Sequence, residues 1–235
     1  MIPLRDDQPS FSTPLINYFL IVLNVLIFLW EVSVGAHSAG ALNAFIAEFG
    51  VVPRHTVAVL TGRSYDGAIT ALLPFFTSMF LHGGWKHLAG NMIFLWVFGD
   101  NVEDYLGHFR YLLFYLIGGV VAALSQIMVN PNSIVPTVGA SGAIAGVMGA
   151  YFILYPKARV LVWFPPIFFF HVPAWLMLGY WFLVQFLIGT ASSMTATSQT
   201  EGGIAFWAHV GGFVAGVLAI KLFSERPQRH RYGAW

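Results

Sequence analysis

A serine, two histidines and an asparagine stand out in this chain, because each lies in or beside a stretch otherwise fit for lipid. Ser141 opens a glycine-spaced apolar run in Gly139-Ala-Ser141-Gly142, and His209 lies within another. His87 and Asn91 are four residues apart and therefore share one face of a helix. Polar or ionisable groups at membrane depth are costly and usually functional. A serine nucleophile needs a base within hydrogen-bond reach and donors aimed at the developing oxyanion. His209 can supply the first, and His87 and Asn91 the second. A helix start at Ser141 adds its own N–H group and a positive dipole end. The buried carboxylate of a triad has no candidate, since no Asp or Glu falls between Asp104 and Glu201. A serine–histidine dyad is the consistent arrangement. Each residue alone also has a plainer reading: Ser141 as a helix N-cap, His209 as packing, and His87 with Asn91 as a hydrogen-bonded patch between helices.

Composition says what must position these groups. Of 235 residues, 57% are hydrophobic and only 9% charged, and the mean hydropathy is +0.72. A soluble domain carries about a quarter of its residues charged, so lipid must solvate much of this surface. The net charge of +1 gives no reason to expect a nucleic-acid partner. Cysteine is absent, which excludes disulfides, thiolate metal sites and a cysteine nucleophile. The polar start, with Arg5, Asp6 and Asp7, does not have the form of a cleaved signal peptide.

A span needs about 20 apolar residues, and six segments meet or approach that length: 15–34, 87–102, 111–129, 141–155, 172–190 and 204–223. The predicted fold is all-α, a polytopic bundle of six transmembrane helices over 15–223. A short cytoplasmic segment, 1–14, precedes it, and a basic cytoplasmic tail, 224–235, follows. The second and fourth segments are short, so they should lie within the bundle or where the membrane is thin. The connection 35–81 holds apolar pieces too short to span, which suggests interfacial or re-entrant helices packed on the bundle.

Six spans place both termini on one side. That side holds Arg5, Arg110, Lys157, Arg159, Lys221, Arg226, Arg229 and Arg231, against Arg54, Arg63 and Lys86 on the other. The excess puts both termini in the cytoplasm. The fourth and sixth spans then run parallel. Gly142 and Gly146 face a partner, as do Gly212 and Gly216, and small residues let backbones approach closely. His209 lies about 7 Å into its helix at 1.5 Å per residue. That depth is close to that of Ser141.

Taken together, His82-Gly-Gly-Trp-Lys-His87-Leu-Ala-Gly-Asn91, Phe98-Gly99 with Glu103, Gly107 and Arg110, Gly139-Ala-Ser141-Gly142, and Ala208-His209 with Gly212 resemble the rhomboid intramembrane serine proteases. The match runs from about Val52 to Leu222 in the family's order and spacing. The resemblance implies Ser141 as nucleophile and His209 as general base. His87, Asn91 and the Ser141 amide would form the oxyanion hole, with His82 and Gly139 in support. Glu103, Gly107 and Arg110 match a structural turn, read here as a stabilising ion pair. The segment 35–81 matches the family's membrane-lying first loop, and the fifth span its lateral gate. Substrates would be single-pass or other membrane proteins cut in the bilayer of a bacterial plasma membrane, with no cofactor.

Two departures stand out. The aromatic that family members often carry four residues after the serine is Ala145 here, so the imidazole must be held by other groups, with Phe206 and Trp207 the nearest candidates in sequence. The Trp-Arg dipeptide of the first loop is also missing. A catalytically inactive rhomboid-like protein that binds transmembrane segments is the alternative reading. A metal site on His82, His87 and His209 lacks the His-Glu-x-x-His signature, and nothing suggests a transported ion.

Overall fold

The computed structural model describes residues 1–194 and 205–223. Ten helices follow one another among these: α1 (Leu15–His37), α2 (Ala39–Phe49), α3 (Pro53–Leu60), α4 (Ala68–Leu72), α5 (Pro74–Thr77), α6 (Trp85–Leu106), α7 (His108–Val129), α8 (Ser141–Leu154), α9 (Ala174–Met194) and α10 (Phe206–Phe223). A single 3-10 turn, Ser78–Phe80, follows α5. Helices α1, α7, α9 and α10 are long and apolar enough to cross a membrane, and the chain is a multi-pass membrane protein. Helix α6 is as long, but Lys86, Asp100, Glu103 and Asp104 lower its hydropathy. The basic tail 224–235, with Arg226, Arg229 and Arg231, lies outside the described residues.

Helix α8 is the short one, with 14 residues, or about 21 Å. Every residue from Gly142 to Tyr151 is buried. It is ringed by α6, α7, α9 and α10, and can be short because protein surrounds it instead of lipid. Against α10 the backbones touch. A Cβ added to Gly212 would overlap the carbonyl oxygen of Gly142, and one added to Gly216 that of Gly146. The pairing advances in the same direction along both helices, so α8 and α10 run parallel, as the topology predicts. Gly216→Ala is expected to lower the thermal unfolding temperature, because overpacking costs about 1–3 kcal/mol. Separation of these two helices would also part Ser141 from His209, which lie on them.

The polar residues of α1 are structural. Asn17, Leu20, Asn24, Phe28 and Glu31 are its buried residues, a seam at three- and four-residue spacing that turns the costly groups inward. Asn17 donates to the Leu95 carbonyl (3.0 Å) and accepts from the Tyr111 hydroxyl (2.8 Å). The Glu103 carboxylate accepts from the N–H groups of Ile16 (3.0 Å) and Asn17 (2.7 Å). A carboxylate there complements the free donors and positive end of α1. It also meets His108 at 2.5 Å. Gly107, at φ +76°, makes the turn between α6 and α7.

One element was not anticipated. Strand β1 (Ile2–Arg5) pairs antiparallel with β2 (Arg159–Phe164), which pairs antiparallel with β3 (Phe168–Pro173). The N-terminal segment is thus tied to the connection between α8 and α9. Asp6 accepts from the Tyr151 hydroxyl, and burial raises its carboxyl above the ordinary range. The fifth span accordingly begins as helix at Ala174, its first residues being strand.

The connection 35–81 folds into four short helices and the 3-10 turn, and it braces the loop ahead of Ser141. Val51 and Thr137 exchange backbone hydrogen bonds (3.1 and 2.8 Å), and Arg54 N–H donates to the Ser133 carbonyl (3.0 Å). The Gly139 N–H donates to the Ser78 carbonyl at 2.8 Å. The first loop therefore fixes the backbone from which α8 starts.

Candidate active site

Ser141 is the first residue of α8, and His209 lies one turn into α10. The parallel glycine seam brings them together: His209 Nε2 and Ser141 Oγ are 2.7 Å apart. Both line a cavity of about 630 Å³ with His87 and Asn91. Its apolar wall includes Phe94, Ile144, Met148 and Trp181, and Lys86 stands among its lining residues. The four residues singled out for nucleophile, base and oxyanion donors therefore share one cavity.

The other side of the imidazole is also held. His209 Nδ1 is 2.8 Å from Gln185 Oε1 on α9. With that oxygen accepting from Nδ1–H, the lone pair lies at Nε2, where it can take the serine proton. The Trp181 ring packs on the imidazole at 5.6 Å between centroids, tilted by 38°. Orientation therefore comes from α9, and not from Phe206 or Trp207. Those two lie against Gly189, and the Trp207 indole N–H donates to Ser193 Oγ at 3.0 Å. Ala145 is buried in the α8–α10 seam beside Gly212. The aromatic ring that packs on His209 is thus Trp181, from α9. Gln185 was visible in the sequence as a polar residue within a span, but nothing in its spacing said which group it served.

Asn91 is buried, and its Nδ2 has no hydrogen-bond partner among the described residues. An unpaired buried donor costs about 1–3 kcal/mol, and such a group beside a nucleophile suits an oxyanion. His87 accepts from the Gly83 N–H through Nδ1 (3.3 Å), which leaves Nε2 as the proton-bearing nitrogen. His82 does not line the cavity. It packs edge-on behind His87 at 5.2 Å, and its backbone N–H donates to the Glu31 carboxylate at 3.1 Å. Burial, reinforced by neighbouring His87, pushes the His82 imidazole down to about 4. It is a neutral ring packed behind His87.

Gly139 needs to be glycine twice over. Its φ is +125°, a region open to glycine and strained for other residues. A Cβ there would also stand 2.7 Å from His87 Cε1 and 2.8 Å from Nε2. Gly139→Ala is expected to displace the His87 ring and to cut any cleavage that depends on Ser141 about tenfold or more, with a lower thermal unfolding temperature, because a residue forced into that backbone region costs about 1–3 kcal/mol. Cleavage rate and unfolding temperature measured side by side check this.

Comparison with known proteins places this constellation. The family model described as Rhomboid domain matches residues 70–226. The chain is 29% identical over 167 residues to Rhomboid protein 1, mitochondrial, of Saccharomyces cerevisiae, covering 69% of this chain and 45% of that protein. It is 30% identical over 165 residues to Rhomboid-like protein 11, chloroplastic, of Arabidopsis thaliana, covering 67% of this chain and 54% of the relative. To Rhomboid protease GluP of Bacillus subtilis it is 35% identical over 147 residues, covering 62% of this chain and 25% of the relative. The chain thus spans about half or less of the length of these relatives. The matched region runs from within α4 to the end of α10 and takes in most of the cavity lining, the glycine seam and both helices that carry Ser141 and His209: the chain belongs to the rhomboid family.

Proposed function

We propose that the protein is an intramembrane serine endopeptidase that cleaves membrane-anchored substrates near the outer membrane face. The observation that carries this reading is the 2.7 Å contact between His209 Nε2 and Ser141 Oγ inside a cavity that also holds Asn91 and His87. Ser141 Oγ attacks the scissile carbonyl carbon while its proton passes to His209 Nε2. The resulting oxyanion is stabilised by His87, Asn91 and the Ser141 amide. The C–N bond breaks as the imidazolium gives its proton to the leaving amine. Water then attacks the ester, losing a proton to His209, and the imidazolium returns that proton to Ser141 Oγ as the ester C–O bond breaks and the new carboxyl end departs.

Peptide bonds in a substrate helix are shielded by their own hydrogen bonds, so the substrate must unwind locally. Small residues or helix breakers at the cut site suit that need. The reading also puts the protein in a bacterial plasma membrane, with both termini in the cytoplasm. Arg5, Arg110, Lys157 and Arg159 lie toward the end of the bundle away from the cavity, and basic residues favour the cytoplasmic side. The word protease in the name of the Bacillus subtilis relative supports the activity. Cleavage of a membrane-anchored reporter in liposomes tests it. Unaltered protein should cut the reporter within the membrane, and equal cutting by Ser141→Ala would overturn the proposal.

A further inference from the structure

We infer that Gln185 completes the catalytic set as a positioning residue, holding the His209 imidazole from α9; this rests on the protease reading above. The imidazole sits between two partners, Ser141 Oγ at 2.7 Å on Nε2 and Gln185 Oε1 at 2.8 Å on Nδ1. A neutral imidazole has one donor and one acceptor nitrogen. A carbonyl-type oxygen on Nδ1 fixes the proton there and leaves Nε2 to act as base. It also stabilises the imidazolium formed when the serine proton arrives. The carboxylate of a triad performs the same task, but a charge at membrane depth is costly. An amide supplies the acceptor without the charge.

The placement on α9 has a consequence of its own. Trp181, Gln185, Gly189 and Ser193 recur every fourth residue and form the face of α9 that meets α10. Trp181 packs on His209 and Phe213, Gly189 receives Phe206 and Trp207, and Ser193 accepts from Trp207. The opposite face is exposed, as at Tyr180, Leu183 and Leu187. The base is thus held by a helix with one face on the bundle and the other turned outward. A displacement of α9 by little more than 1 Å would stretch the 2.8 Å contact beyond hydrogen-bond length. The alignment of the imidazole is therefore best while α9 is seated on α10, so the seat of this helix tunes the competence of the dyad.

The test compares Gln185→Leu, which keeps bulk and removes the acceptor, with Gln185→Glu, which restores an acceptor. Cleavage of the liposome reporter is followed across pH, and thermal unfolding is measured for each variant. Gln185→Leu should lower kcat about 10- to 100-fold with KM within about twofold and the unfolding temperature unchanged. Gln185→Glu should recover most of kcat. Its carboxylate favours the imidazolium, so the acid limb of its rate profile should move to higher pH. An unchanged kcat in Gln185→Leu overturns the inference. So do equal losses in both variants with the pH profile unmoved, since that pattern marks packing alone. Should His209→Ala cleave as well as unaltered protein, the protease reading itself fails. That outcome is distinct from an unaffected Gln185→Leu beside an inactive His209→Ala.

Discussion

Replacing Ser141 by alanine is expected to reduce cleavage of a membrane-anchored reporter by at least about a thousandfold, and His209→Ala should do the same. The two losses should be nearly equal and far from additive. The serine hydroxyl is a weak nucleophile without its base, and the base has nothing to activate without the serine. The 2.7 Å contact between them is the geometric reason for treating them as one unit. The double variant should therefore be no worse than either single one. Neither change should unfold the bundle. Ser141→Ala keeps a residue compatible with the first turn of α8. Removing the imidazole leaves the glycine seam intact, because Gly212 and Gly216 make that contact with backbone atoms. Rates measured in liposomes, with unfolding temperatures alongside, check both statements.

Asn91→Ala comes next in expected size. Loss of one oxyanion donor costs about 100- to 1,000-fold in turnover where such a donor has been removed elsewhere. The Asn91 amide is buried and has an unpaired Nδ2 among the described residues. The unaltered protein thus already bears the cost of an unsatisfied donor, and Asn91→Ala should leave the unfolding temperature equal or slightly higher while kcat collapses. A group that gains its partner only in the transition state gives that opposition of effects. His87→Ala should be milder, about tenfold, since Asn91 and the Ser141 amide remain. A fall in stability without a fall in kcat would assign Asn91 to helix packing instead. Single-turnover cleavage by each variant is the measurement.

Much of this site was legible before any coordinates, for reasons that can be named. Ser141 and His209 could be paired because glycines at 142, 146, 212 and 216 mark two backbones that must touch, and because the single span between them makes their helices parallel. His87 and Asn91 could be joined to them because a four-residue spacing fixes one face. The support for the imidazole was not legible. Ala145 announced that an aromatic was missing, but sequence proximity pointed to Phe206 and Trp207. The groups that serve, Gln185 and Trp181, come from the neighbouring helix, where only tertiary packing decides which residue meets which.

The small sheet was hidden for a different reason. Arg159 to Phe164 and Phe168 to Pro173 are β-branched and aromatic stretches around Pro165 and Pro166, a hairpin signal in principle. In a chain this apolar, the same residues also read as the approach to a span. Their partner, the four-residue strand at Ile2–Arg5, is too short to carry any pattern. Likewise Glu103 invited pairing with a basic residue nearby in sequence, and it does meet His108, but its hydrogen bonds to Ile16 and Asn17 also reach a helix start more than 80 residues away.

The central claim is that Ser141 is a nucleophile activated by His209, and covalent trapping tests it most directly. The folded protein in detergent or liposomes is treated with a fluorophosphonate, digested, and mapped by mass spectrometry. The account predicts one adduct, on Ser141, whose rate of formation drops sharply in His209→Ala. An unlabelled Ser141 in the folded protein, or one labelled equally fast without His209, would contradict it and favour a rhomboid-like protein that binds transmembrane segments without cutting them.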